Sequence, residues 1–242
     1  MRVIDASPWE KRNLGVDVTE INFDISDNIE LVSSCLEKEN ASYVVLKVPS
    51  NRVDLLREAQ RKNYSFVETL ITLESNYSEL SVPNFYQRFL KYITLVRPEK
   101  DLYETVLTDI RSGNIFDTDR IALDPEFSKQ MAGCRYANWI DDEMERGANI
   151  MVAYYKDEPV AFEIVKSKDD KNCDAVLGGL LTSESSKGLG FLGIYILYEI
   201  MKIKKYEHCI TRVSSNNIPI LKLHQMFGFK VTDCTYILTK HN

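Results

Sequence analysis

The chain has 242 residues, of which 44% are hydrophobic and 27% are charged, an ordinary composition for a protein that folds around a core. This length allows one large domain or two small ones. Nucleic-acid binding depends on clustered Lys and Arg, so the formal net charge of −6 leads us to expect no nucleic-acid partner.

Signals for membrane targeting, disulfides and metals are weak throughout the chain. The start has no continuous apolar stretch before Pro8, and the longest apolar run, residues 189–201, contains Glu199 and is shorter than the ~20 residues of a membrane span. We interpret that run as a buried helix. The five cysteines lack CxxC spacing, and the three histidines lack metal-ligand spacing. We therefore expect a cytoplasmic protein without a membrane partner or a bound metal.

Two stretches of the chain match at an offset of 165 residues. Residues 43–73 predict a strand, a turn, a helix over 53–62 and a strand over 66–73, and residues 211–240 show the same order. Asn63 and Gly228 end the two helices with residues able to adopt the left-handed conformation. We interpret this as a degenerate internal repeat. The matched pairs are Val48 and Val213, Ser50 and Ser215, Asn51 and Asn216, Leu56 and Leu221, and Gln60 and Gln225.

The pattern divides the chain into a smaller N-terminal α/β partial-repeat domain, residues 1–83, and a main domain, residues 92–242. The polar stretch 74–83 is interpreted as a linker. The main domain predicts the order β-α-α-β-β-β-α-β-α-β, with helices over 99–110 and 125–145 and an apolar helix starting at residue 189. This order indicates an α/β fold with a mixed sheet.

A Gly-rich loop, SESSKGLG, follows the predicted strand AVLGGLL and precedes the apolar helix. Unsatisfied N–H groups and the positive end of the helix dipole suit a pyrophosphate at such a place. Gly188 and Gly190 leave room for the backbone to approach phosphate oxygens. A plain tight turn is the alternative for two glycines alone. The loop lacks the Gly-Lys-Ser/Thr of a Walker motif and a full GxGxxG.

The tail VSSNNIPILKLHQMFGFKV, taken with this loop, resembles the GNAT superfamily of N-acetyltransferases, whose motif here falls on Asn217, Ile220, Leu223, His224, Gly228 and Phe229. Ser185 and Ser186 stand where the family loop carries Arg and Gly. The resemblance implies the GNAT fold with a mixed central sheet and acetyl-CoA as co-substrate. It implies polarisation of the thioester by backbone N–H groups of residues 178–180. The implied cofactor-binding residues are Gly179, Leu180, Leu181, Ser186, Lys187, Gly188, Leu189, Gly190 and Asn217.

Within the superfamily the chain is most similar to acetyltransferases that act on the amine of a dTDP-linked 4-amino-4,6-dideoxyhexose. The residues that carry this similarity are Trp9, Glu10, Gly15, Val16, Asp119, Arg120, Phe127, Trp139, Ile140 and Gly147. The similarity implies a small-molecule amine as partner, a nucleotide amino sugar, with Arg120, Arg135 and Tyr136 near its diphosphate and base or sugar. A solvated helix surface is the alternative for these three residues. A homodimer is a further expectation.

The resemblance also implies two catalytic residues. His224 replaces the family's Tyr and, as an imidazolium, would protonate the departing CoA thiolate; packing beside Phe227 is the alternative. Glu68, in the apolar stretch FVETLIT, would take a proton from the substrate ammonium; a solvated face is the alternative, since Asp233 holds the equivalent repeat position. Two other functions stay open: acetylation of a peptide, polyamine or small metabolite, and a non-catalytic acyl-CoA-binding module.

Overall fold

A computed structural model describes all 242 residues as eight α-helices and ten β-strands. The N-terminal part contains β1 (Arg2–Asp5), α1 (Ser7–Leu14), β2 (Val18–Asn22), α2 (Ile29–Lys38), β3 (Tyr43–Pro49), α3 (Val53–Arg61) and β4 (Ser65–Asn76). The remainder contains α4 (Asn84–Leu90), β5 (Ile93–Val96), α5 (Lys100–Arg111), α6 (Lys129–Glu145), β6 (Asn149–Tyr155), β7 (Glu158–Ser167), β8 (Asn172–Leu180), α7 (Leu192–Lys204), β9 (His208–Ser214), α8 (Ile218–Phe227) and β10 (Lys230–His241). From β5 onward the order matches the predicted β-α-α-β-β-β-α-β-α-β.

All ten strands form one mixed sheet in the order β1-β2-β3-β10-β4-β9-β8-β7-β6-β5. Only two neighbouring pairs, β2 with β3 and β8 with β9, are parallel. The apolar helix α7 packs on one face of the main half, where Ile196, Leu197 and Ile200 join a core that includes Val165 of β7. On the other face α5 and α6 pack through Ile110 and other residues of a second core. The two faces thus carry separate helix layers.

The internal repeat is visible in the strand pairing. The second copy has β9, α8 and β10 where the first has β3, α3 and β4, and each strand of the second copy begins and ends 165 residues after its counterpart. Leu70 lies opposite Thr235 at the centre of the β4–β10 pair, so the pairing is related by an approximate two-fold axis there. Each copy gives its last strand to the other, because β10 pairs with β3 and β4 pairs with β9. The predicted strand-helix-strand unit is confirmed.

The repeat also fixes how its two helices end. Asn63, two residues after the end of α3, adopts a positive φ of 65°, and Gly228, directly after α8, adopts a φ of 108°. At Gly228 a Cβ atom would lie 2.5 Å from the backbone oxygen of Glu79, so both conformation and close packing require glycine. The prediction that both residues enter the left-handed region is confirmed.

The predicted linker over 74–83 is wrong in its first part. Residues 74–76 complete β4, which lies in the middle of the sheet between β10 and β9. Leu80 is buried beneath Gly228 in the core that contains α7. The stretch looked like a linker because its charged and polar side chains belong to a strand end and a tight turn. The division into residues 1–83 and 92–242 stays a prediction, and one continuous sheet contains strands from both.

Two helix starts differ from the prediction. The helix predicted over 125–145 begins at Lys129, because the Ser128 hydroxyl accepts a hydrogen bond from the Met131 N–H and caps it; Phe127 therefore precedes the helix. The apolar helix predicted from residue 189 begins at Leu192, after the buried Leu189 and Phe191. None of the helices is long and apolar enough to cross a membrane.

Candidate functional site

The candidate site is the opening between the parallel strands β8 and β9. These strands pair only from Asn172 with His208 to Ala175 with Thr211, and beyond this point they separate. A cavity of about 1370 Å³ occupies the opening. Gly190 and Gly193, at the start of α7, line the cavity on one face of the sheet, and Arg135 of α6 lines it on the other. The cavity therefore passes through the sheet.

The loop that precedes α7 presents free N–H groups to this opening. Gly188 adopts a φ of 79°, a conformation that favours glycine, and turns the chain into the helix. The N–H groups of Gly188, Gly190, Phe191 and Gly193 donate to no backbone carbonyl or side chain. Several unpaired donors at the positive end of a helix dipole are the arrangement that binds an anion.

The predicted cofactor-binding residues fall into two groups in this loop and its surroundings. Leu189 is buried in the core that contains α7, and neither it nor Gly188 lines the cavity. Lys187 is an exposed side chain paired with Glu184. Asn217 accepts a hydrogen bond from the Ile220 N–H and so caps α8. The predicted residues that line the cavity are Gly179, Leu180, Leu181, Ser186, Lys187, Gly190 and Asn217.

Glu68 lies on β4 and lines the cavity from the face that carries α6. Its side chain is buried, and its Oε2 atom has no hydrogen-bond partner. Burial raises the pKa of Glu68, Asp119 raises it further, and Ser214 and Arg120 lower it. The solvated-face alternative is therefore wrong for Glu68, although Asp233, at the equivalent repeat position, is exposed. A buried carboxyl with a free oxygen can accept a proton from a bound amine.

Glu163 is a second cavity carboxyl, which the sequence analysis missed. It lies on β7 opposite Gly178, and a Cβ atom at residue 178 would sit 1.6 Å from its Oε2 atom. The side chain is only 7% exposed and has neither a hydrogen-bond partner nor an ion-pair partner. Burial raises the pKa of Glu163 well above its ordinary value. A Glu within the apolar stretch VAFEIV was the available signal, the same pattern that indicated Glu68.

His224 lines the cavity from α8, but its environment does not suit an imidazolium. The ring is buried, its Nδ1 atom lies 2.9 Å from the Ile220 carbonyl oxygen, and it packs edge-on to Phe229. Burial lowers the pKa of His224 to about 4. Nδ1 therefore donates its proton to the carbonyl and Nε2 is left as an acceptor. The expectation of an imidazolium proton donor does not fit the resting site.

The three residues predicted near the substrate differ in how free they are. Arg135 donates to both oxygens of the buried Glu10, at 2.9 and 2.8 Å, and its guanidinium lies 4.8 Å from the Trp9 ring. Tyr136 is buried against Phe116. The solvated-surface alternative is wrong for both, and Glu10 already occupies Arg135.

Arg120 is the freest of the predicted substrate residues. One of its nitrogens, Nη2, contacts Glu10 at 3.3 Å, while its buried Nε has no partner. Arg120 lies beside Glu68, whose pKa it lowers. The cavity therefore holds an unpaired buried acceptor and an unpaired buried donor close together. No group of three or more His, Cys, Asp and Glu side chains is placed to hold a metal ion.

No known protein family model and no curated protein sequence matches the chain. Solved structures do match it. A GCN5-related N-acetyltransferase from Kribbella flavida is 14% identical, with a TM-score of 0.57 over 93% of this chain and 81% of the other. A GNAT-family acetyltransferase from Colwellia psychrerythraea is 12% identical, with a TM-score of 0.54 over 87% and 71%. The chain has the GNAT fold.

The predicted fold class, α/β with a mixed central sheet of the GNAT type, is thus confirmed. A tandem GNAT protein from the clavulanic acid biosynthesis pathway is also similar, at 12% identity and a TM-score of 0.53, over 88% of this chain and 69% of that one. This similarity accords with the repeat, in which a strand-helix-strand unit of the N-terminal part shares one sheet with its second copy.

Proposed function

We propose that the chain transfers the acetyl group of acetyl-CoA to a primary amine. The opening between β8 and β9, with the free N–H groups at the start of α7, is the observation that carries this proposal. The diphosphate of CoA would bind these N–H groups, and the pantetheine arm would lie along β8. Where β8 has lost β9, the N–H groups on that side lack a strand partner and can polarise a thioester carbonyl.

The acceptor amine would approach from the face that carries α6, where Glu68 lies. The free Oε2 atom of Glu68 would take a proton from the amine as nitrogen attacks the acetyl carbon. The free Nε–H of Arg120 would donate to an oxygen of the acceptor. An acceptor that carries an oxygen near its amine would contact both Glu68 and Arg120.

The more specific acceptor that we propose is a nucleotide-linked amino sugar of the dTDP-4-amino-4,6-dideoxyhexose type, as the similarity to TDP-fucosamine acetyltransferase implies. An amino sugar has hydroxyls beside its amine, which suits Arg120 next to Glu68. The role proposed for Arg135 at the diphosphate is weaker, because Glu10 neutralises this guanidinium. Arg120 would therefore be the main cationic contact to the acceptor.

Release of free CoA thiol, measured with acetyl-CoA and a panel of amines, tests the proposal. The panel should contain nucleotide amino sugars, free amino sugars, polyamines, peptides and amino acids. We expect turnover with amines that carry a neighbouring oxygen and the highest kcat/KM with the nucleotide amino sugars. Preference for another amine would leave acetyl transfer intact and refute the sugar. Tight acetyl-CoA binding without turnover on any amine would favour a non-catalytic module.

A further inference from the structure

We infer that Glu163 is the general acid that protonates the departing thiolate of CoA, a role that rests on the proposed acetyl transfer. Two buried carboxyls of the cavity have no part in the proposed acetyl transfer: Glu143 is paired with Arg146 and Lys166, whereas Glu163 has no ion-pair partner. A residue of this kind needs an explanation, because an unpaired carboxyl is costly to bury and a fold gains nothing from it.

The local packing is built around this carboxyl. Oε2 of Glu163 occupies the place where a side chain at residue 178 would be, so only glycine fits there. A Cβ atom at Gly193, in the first turn of α7, would lie 3.3 Å from the same oxygen. The carboxyl therefore touches both the strand that would hold the thioester and the helix start that would hold the diphosphate.

The two cavity carboxyls lie on opposite faces of the sheet. Glu163 lies on the same face of β7 as Ala161 and Val165, which belong to the core that contains α7. Glu68 lies on the same face of β4 as Leu70. Leu70 packs on the core that contains Ile121 and Ala132, on the face of the sheet that carries α6. Because the cavity passes through the sheet, one carboxyl faces the CoA side and the other faces the acceptor side of the same reacting carbon.

This arrangement balances the protons of the reaction. The amine nitrogen forms a bond to the acetyl carbon and gives a proton to Glu68. The C–S bond then breaks, its electron pair stays on sulfur, and sulfur takes the proton of the Glu163 carboxyl. The products are the amide and the CoA thiol. Glu68 then releases its proton to solvent, and Glu163 takes a proton from solvent.

The energetics favour Glu163 over His224 for this step. A thiol has a pKa of about 8.5, above that of an ordinary carboxyl, and burial shifts the pKa of Glu163 upward in the direction of that of the thiol it would protonate. Burial keeps the Glu163 carboxyl protonated at a higher pH than usual. Burial has the opposite effect on His224, whose pKa of about 4 leaves the ring neutral. The carboxyl therefore holds a proton where the imidazole does not.

The test uses Glu163→Gln, which keeps the size and the polarity of the side chain but has no acidic proton. Glu158→Gln, an exposed position on the same strand, is the matched control. We expect kcat with acetyl-CoA to fall by roughly 10²–10⁴-fold in Glu163→Gln, the usual range for general acid–base catalysis, with little change in KM. In the wild type kcat should fall as pH rises through the pKa of Glu163, and this decline should be absent in the variant.

A second acyl donor separates acid catalysis from binding. With 4-nitrophenyl acetate, whose nitrophenolate leaves without a proton, Glu163→Gln and the wild type should acetylate the amine at similar rates. A higher KM for acetyl-CoA with unchanged kcat would overturn the proposal and make Glu163 a binding residue. An unchanged kcat with unchanged KM would overturn it as well.

Failure of this inference is distinct from failure of the proposed function. If the wild type releases no CoA with any amine, acetyl transfer itself is refuted. If the wild type turns over and Glu163→Gln equals it, only the acid role is refuted. Thermal unfolding checks the fold of the variant. A carboxyl whose pKa is raised in the folded state makes the protein less stable as pH rises, so at neutral pH Glu163→Gln should unfold at the same temperature as the wild type or at a higher one.

Discussion

Glu68 and Asp233 occupy the same position of the repeat, yet one is buried in the cavity and the other lies exposed on β10. The sequence indicated Glu68 because a carboxyl interrupts an apolar strand, and it indicated nothing about which of the two copies faces a cavity. That difference arises from β8 and β9, which separate beside Glu68. The sequence also left the roles of His224 and Arg135 open. Tertiary packing decides that His224 is buried and that Arg135 pairs with Glu10, and neither is visible in a local pattern.

Glu68→Gln tests the proposed base, with Asp233→Asn as the matched control. A base acts only when it is deprotonated, so the rate in the wild type should rise as pH increases through the raised pKa of Glu68. We expect Glu68→Gln to lower kcat roughly 10²–10⁴-fold and to remove this rise. Asp233→Asn should behave as the wild type in steady-state kinetics. A pH profile that Glu68→Gln leaves unchanged would contradict the base role.

His224→Phe tests whether the imidazole supplies a proton. With a pKa of about 4, only roughly one ring in a thousand is protonated at pH 7. We therefore expect His224→Phe to keep kcat within a few-fold of the wild type, and His224→Tyr to behave similarly. If kcat fell a hundredfold or more in His224→Phe and recovered in His224→Tyr, the side chain at residue 224 would be shown to donate the proton.

At the scale of the elements, the loop before α7 was predicted well and its helix start was not. Glycines and serines before an apolar run indicate a turn into a helix, and the structure contains that turn. The apolar run starts at residue 189 because Leu189 and Phe191 belong to the core, although neither lies in the helix. The hydrophobic pattern indicates which residues are buried, and here the first buried residue of the run, Leu189, lies three residues before the start of the helix.

Gly188→Val tests the loop as an anion site, with Gly147→Val as the matched control. Both glycines adopt a left-handed φ, of 79° and 88°, and neither has an atom within 4 Å of an added Cβ. The two substitutions thus carry a similar conformational cost. Only Gly188→Val would turn the free N–H groups, and calorimetry should show acetyl-CoA binding roughly tenfold weaker or more, about 1.4 kcal/mol. Equal affinities in the two variants would contradict this role of the loop.

At the scale of the whole molecule, the approximate two-fold arrangement explains why the two halves depend on each other. The sequence predicted the repeat from a constant offset, and it could not predict that each copy gives its last strand to the other. Long-range strand pairing leaves no local pattern. The polar end of β4 consequently looked like a linker, although it lies between two strands of the other half.

Truncation tests this dependence. Deleting residues 1–76 removes β4 from the centre of the sheet and exposes the edges of β9 and β10, so we expect aggregation on size-exclusion chromatography. Deleting residues 1–5 is the control, because β1 is an edge strand that pairs only with β2. This shorter truncation should elute as the full chain does. A folded, active protein without residues 1–76 would show that β4 is dispensable.

The two halves also differ in the loop that would hold a diphosphate. In the N-terminal half, residues 23–28 connect β2 to α2, and this connection carries Asp24 and Asp27 instead of glycines. The Asn28 side chain already accepts from two of the first N–H groups of α2. An anion would meet both negative charge and occupied donors there, so only the second half offers a site.

Titration calorimetry with acetyl-CoA tests the central claim most directly. The opening between β8 and β9 should bind one acetyl-CoA per chain, and Gly188→Val should weaken this binding while Gly147→Val leaves it unchanged. The absence of binding to the full chain, or binding of two molecules per chain, would contradict the account.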